Sequence, residues 1–290
     1  MPSGILAVSG WELASIVAKW VLYACTFAGA GGALFMAIFS ARIPPLQRRA
    51  VVHWVWLTCS AALVMGVARA GVLAGALGGD GVAMLGSMLR GNEAMSLLLR
   101  SAGLVATLAS LACARRSRMV LSIAGVCLVA VSYTRVGHVL EATSPLTAQA
   151  MLALHVFSLC YWLGALVPLR LCCQEGRAAG QLLSDFGHLA VYLVGALLFA
   201  GGSLLFLLLD GAAETLSARY VGLFVAKIAL VVLMIAMAAL NKLDLVPRLN
   251  RGEIAALVKL RRSIGVEIAA ALLILLAMAA LTTVASLSPE

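Results

Sequence analysis

Charge is what this chain has least of. Asp, Glu, Lys and Arg make up 11% of its 290 residues, and only twelve residues are acidic, against about a quarter charged in ordinary globular domains. Hydrophobic residues fill 63% of the chain and the mean hydropathy is +1.06. A water-soluble fold of this length cannot hide so much apolar surface, whereas a bilayer takes the place of water around outward faces. No long basic tail accompanies the net charge of +9, so nucleic-acid binding is a weak reading of that charge. Lys and Arg sit instead in short clusters between apolar runs, as in the cytoplasmic loops of membrane proteins. The seven cysteines are odd in number and lie mostly inside apolar runs (Cys25, Cys59, Cys113, Cys127, Cys160), which excludes a disulfide framework. There is no glycine-rich phosphate loop to power an ATP-driven pump. There is no Gly-x-Ser-x-Gly or His-Glu-x-x-His pattern to support a hydrolase. No catalytic reaction is indicated. Residues 1–12 lack the basic start of a signal peptide, so the first apolar run is expected to be a retained span.

What the chain does have is apolar length. A bilayer crossing takes roughly 20 residues, and eight stretches supply it, at approximately 14–40, 50–74, 94–114, 119–138, 147–169, 186–209, 220–241 and 264–287. Each must be helical, because hydrocarbon cannot satisfy a bare backbone. The expected fold is therefore an all-α, polytopic transmembrane bundle forming one domain. Glycines inside the spans, such as Gly29, Gly31, Gly32, Gly201 and Gly202, allow helices to approach closely. Odd-numbered loops hold the arginine clusters: Arg42, Arg48 and Arg49; Arg115, Arg116 and Arg118; Arg170 and Arg177; then Lys242, Arg248, Arg251, Lys259, Arg261 and Arg262. Even-numbered loops hold only Arg90 and Arg219. The asymmetry places odd loops in the cytoplasm and both termini outside. The second loop, about 75–93, has room for a short interfacial helix.

An ionisable side chain within a span is costly and marks a candidate site. His155 lies eight residues into the fifth span, about 12 Å from its outer end. Met151 precedes it by one turn, and Ser158 and Trp162 follow at helical spacing. His138 closes the fourth span, and the short loop to the fifth brings the two imidazoles into the same outer half. Imidazole with thioether suits copper, Cu(I) in particular. Against this, a lone span histidine can simply bond a backbone carbonyl, and methionine commonly fills core gaps. His53 and His188 begin the second and sixth spans near the inner surface, where a wet interfacial role is the plainer reading and a second haem-ligand pair is the alternative. Lys19, Arg69, Arg100, Arg135 and Lys227 fall in the outer parts of their spans. Arg100 and Lys227 lie too deep to snorkel easily. They can pair with Glu93, Glu141, Asp210 or Glu214, or hold an anion such as a haem propionate. A b-type haem with two axial histidines is thus the alternative to copper. Cys172 and Cys173 follow the fifth span, where a metal-accepting pair, a lipidation-like site and an inert role all stand open.

Several segments together carry a resemblance. Gly137-His138, Leu154-His155-Val156-Phe157 and Tyr161-Trp162-Leu163-Gly164-Ala165-Leu166-Val167-Pro168-Leu169 resemble the copper resistance protein D family. Val225-Ala226-Lys227-Ile228-Ala229-Leu230, Ala239-Leu240-Asn241-Lys242, Leu245-Val246-Pro247-Arg248-Leu249 and Leu260-Arg261-Arg262-Ser263 with Glu267 are similar too, as is the placing of Arg100. The resemblance implies an eight-span inner-membrane protein of bacterial copper handling, moving copper with periplasmic CopC-type partners. It carries over His138, His155 and Trp162 as motif positions, with Lys227 and Asn241. The chain departs from that pattern after Lys19-Trp20, where Val21, Leu22 and Tyr23 stand in place of a histidine. Ala165 replaces a second glycine, and His188 is unexpected.

Overall fold

The computed structural model describes residues 10–76, 91–173, 176–209 and 218–284. Among these, eight long helices and no strand occur: α1 Gly10–Phe39, α2 Pro45–Ala76, α3 Asn92–Ser110, α4 Arg115–Tyr133, α5 Pro145–Cys172, α6 Gly176–Leu209, α7 Ala218–Leu240 and α8 Ile254–Val284. A 3-10 turn, His138–Leu140, precedes α5. Beyond α7 the chain passes through a π-helical stretch, Asn241–Leu245, and one further turn, Val246–Asn250. The polytopic helical bundle expected from the apolar runs is what forms. The proposed interfacial helix of the second loop and the acidic residues Asp210 and Glu214 lie outside the described residues.

Local signals set the helix ends. Pro145 sits at the start of α5, where its missing N–H costs nothing. Gly91, extended at φ −110°, hands over to α3 with Glu93 in the first turn. Pro247 has no N–H to offer the carbonyl of Leu243, so a regular α-turn cannot continue there. The helix widens just upstream, and the Val246 N–H reaches back to the Asn241 carbonyl.

The most buried helix is α1, which packs against α2, α3, α4, α5 and α8. Its contact with α5 is backbone on backbone. A Cβ built on Gly31 would lie 1.7 Å from the Cys160 carbonyl oxygen, and one on Gly164 would lie 2.4 Å from the Gly31 Cα. Only glycine fits at that crossing. Gly103 and Gly125 make the same kind of approach between α3 and α4.

The outer surface identifies the solvent. α6 and α7 are among the most apolar spans and are the least buried. Tyr192, Phe199 and Phe206 on α6, with Val225 and Val232 on α7, are exposed. In water such helices would need cover; in lipid they need none. Among the described residues, seven helices are long and apolar enough to cross a membrane. The eighth, α3, is inverted: Ser96, Arg100, Thr107 and Ser110 point inward and are buried, while Leu98 and Val105 face outward. Its average apolarity is lowered by residues that never meet lipid, which is how it completes the eight-helix bundle.

Substituting Gly31→Ala forces α1 and α5 apart and is expected to cost about 2–3 kcal/mol, in the usual range for overpacking. Thermal unfolding in detergent reads this as a lowered midpoint. The control is Gly195→Ala, where nothing lies within 4 Å of the added methyl.

Candidate metal centre

His155 projects from α5 toward α6, where its Nδ1 lies 3.1 Å from the Leu197 carbonyl oxygen. A carbonyl only accepts, so Nδ1 carries the proton and donates, and Nε2 keeps its lone pair. A backbone carbonyl that fixes one ring nitrogen and frees the other is the usual outer support of a metal-binding histidine. The ring lies flat against α6 because Gly201 has no side chain. A Cβ there would meet His155 Cε1 at 3.1 Å and Nδ1 at 3.2 Å.

One turn toward the start of α5, Met151 also faces α6. It packs with Leu152 and Leu207 against a small apolar cluster of Val139, Ala148 and Leu204. Val139 follows His138 in the 3-10 turn, and that turn packs on α5. The backbone of His138 is therefore next to the Met151 end of α5, while its side chain lies outside the described ones. Ser158 is fully buried with its hydroxyl unpartnered, and Trp162 is buried in the main core. Among the described residues, no three His, Cys, Asp or Glu side chains gather closely enough to hold a metal. Met151 and the His138 turn lie toward the start of α5 from His155.

The span cations find separate partners. Lys227 on α7 sits with its Nζ 5.9 Å from the centre of the Phe224 ring. Arg100 does not pair with Glu93; that carboxylate lies 3.5 Å from Arg69. Arg100, only 5% exposed, donates from Nη2 to Ser96 Oγ at 2.8 Å and lies 5.0 Å over the Tyr133 ring. Its Nε is buried without a hydrogen-bond partner. Lys19 donates to the Thr282 carbonyl at 2.9 Å, and Arg135 is exposed.

The inner histidines stay apart from this arrangement. His53 donates from Nδ1 to the Arg49 carbonyl at 2.8 Å within α2, and both it and His188 on α6 are exposed. α2 and α6 each pack on α5 and share no substantial contact with each other. Cys172 and Cys173 are both buried in the main core, which closes them to lipidation. Sequence reasoning did not pick out the Leu197 carbonyl and Tyr133 as neighbours of the candidate residues. Nor did it find the buried Asn241–Glu267 pair. Pro247, four residues after Leu243, was the available signal for the widened helix beside Asn241.

Comparison with known proteins gives one match. Residues 180–281 match the family model of copper resistance protein D. The matched third of the chain runs from α6 to α8 and includes Lys227, Asn241 and Glu267. It stops short of His138 and His155. Neither a curated protein nor a solved structure matches the chain significantly.

A guanidinium buried without a carboxylate costs more than it returns. Arg100→Met, similar in volume, is therefore expected to leave the thermal unfolding midpoint of the purified protein unchanged or raised. A fall would mean that the Ser96 bond and the Tyr133 contact outweigh the desolvation.

Proposed function

On the premise that the chain carries a copper resistance protein D domain across residues 180–281, we propose that this multi-pass membrane protein binds copper between α5 and α6 and passes it across a bacterial inner membrane. The observation that carries the site is the His155–Leu197 hydrogen bond, which leaves an imidazole lone pair available inside the bundle. Met151, one turn away, supplies a soft thioether, and His138 a second imidazole from the turn that packs on α5. Nitrogen with thioether favours Cu(I) over harder ions. Lys227 pushes in the same direction. A positive charge on a nearby helix opposes a divalent ion twice as strongly as a monovalent one.

The arginine-rich loops set the direction. They lie at the inner surface, so the His155 end of α5 faces the periplasm, where a CopC-type carrier can deliver the metal. Anion binding by Arg100 and Lys227 belongs to the same reading, as counter-charge for what arrives with the metal. The Lys227 ammonium also suits a haem propionate. A Soret band in the purified protein would replace copper with b-type haem ligated by His155 and His138.

His155→Ala protein is expected to retain its fold and lose copper affinity by more than about tenfold, with a smaller loss for Met151→Leu. Metal analysis after equilibrium dialysis against Cu(I) checks this. Wild-type copper retention by folded His155→Ala protein would remove the site.

A further inference from the structure

The most deeply buried carboxyl among the described residues plays no part in the copper reading. Glu267, 3% exposed, stands in the middle of α8. It makes no ion pair among the described residues and accepts a hydrogen bond from Asn241. None of the charged groups on the elements around it forms a salt bridge with it among the described residues. Arg170 of α5 crosses α8 at Gly265, Lys242 donates to the Gly187 carbonyl on α6, and Asp244 pairs with Arg248. Lys19 of α1 binds the far end of α8 at Thr282, and Lys227 of α7 lies over the Phe224 ring. On α8 itself Lys259, Arg261 and Arg262 are exposed. A carboxylate buried without a cation is costly, and glutamine would make the same hydrogen bond without that cost. A glutamate here is explained by the proton it can gain and lose.

Asn241 suits both protonation states. Its Nδ2 lies 2.5 Å from Glu267 Oε1, so an ionised carboxylate accepts from the amide. Once protonated, the carboxyl needs an acceptor. A half-turn of the same amide presents Oδ1, which is buried and unpartnered as it stands. Asn241 opens the π-helical stretch Asn241–Leu245, a distortion that recurs at functional sites. Ser263 lies one turn from Glu267 toward the arginine-rich end of α8. It is 4% exposed and its hydroxyl has no partner. A hydroxyl both donates and accepts, so with a water bridging its gap to the carboxyl it can pass a proton inward from that end.

We propose that Glu267, Asn241 and Ser263 form a proton-exchange site within the bundle, opening toward the arginine-rich face. Uptake forms the Glu267 O–H bond with a proton from water relayed by Ser263. Release breaks that bond and returns the proton by the same route, with Asn241 as the positioning residue that turns from donor to acceptor.

The test is a pH titration of the full-length protein in lipid nanodiscs, followed by infrared difference spectroscopy. The wild type is expected to gain the carbonyl stretch of a protonated carboxylic acid as pH falls, and Glu267→Gln to lack it. Asn241→Leu keeps the band but moves its midpoint by about one pH unit or more, the scale of one hydrogen bond to a charged group. Glu267→Asp, which retains a carboxyl, shows the band at a displaced midpoint and serves if the glutamine variant does not fold. A spectrum with no band sensitive to Glu267 substitution, or an Asn241→Leu midpoint equal to wild type, would overturn the proposal. The band is expected intact in His155→Ala protein, so failure of the copper site and failure of this one read differently.

Discussion

The backbone contact of Gly31 with Gly164 is the constraint on which the rest of the molecule depends. It draws α1 against α5 without intervening side chains, and α1 in turn carries α2, α3, α4 and α8 around it. Helices in lipid gain nothing from hiding apolar surface, so close packing must supply the attraction that water supplies elsewhere. With α5 held this way, its opposite side is committed to α6. The His155 ring then settles over Gly201 and against the Leu197 carbonyl. The geometry of the candidate site is a consequence of a glycine contact on the other side of the same helix.

The bilayer also decides where polarity goes. The exterior of α6 and α7 is almost wholly apolar, and polar side chains collect inside, most plainly on α3. Each of these interior ionisable groups then rests on a nearby neutral partner: Arg100 on Ser96 and Tyr133, Glu267 on Asn241, His155 on a main-chain oxygen. Neutral partners leave such groups free to respond to an arriving ion, which a fixed salt bridge would not. The ion pairs occur instead toward the helix ends, as with Arg42 and Asp185, Arg69 and Glu93, and Arg248 with Asp244 and Glu253.

Seven of the apolar runs could be read directly as helices long and apolar enough to span, because hydrophobic length is a one-dimensional property. Their ends could not. α6 begins at Gly176 rather than about 186, and α8 at Ile254 rather than 264. At 1.5 Å per residue α6 is about 51 Å long and α8 about 46 Å, well beyond a hydrocarbon layer of about 30 Å. The extra turns carry Gln181 and Asp185, or Lys259 and Arg261, which hydropathy assigns to loops although the backbone stays helical. His155 was legible because a histidine is rare in a span. Its partner was not, because a main-chain oxygen has no signature in sequence. The approach of Asn241 to Glu267 depends on how α7 and α8 pack, which no spacing along the chain encodes.

Copper K-edge X-ray absorption on the copper-loaded protein tests the central claim most directly, since it reads the atoms bound to the metal. The account predicts imidazole nitrogen together with sulfur in the first shell, the sulfur contribution vanishing in Met151→Leu protein and the imidazole contribution diminishing in His155→Ala protein. A first shell without imidazole, or one unchanged by both substitutions, would contradict it.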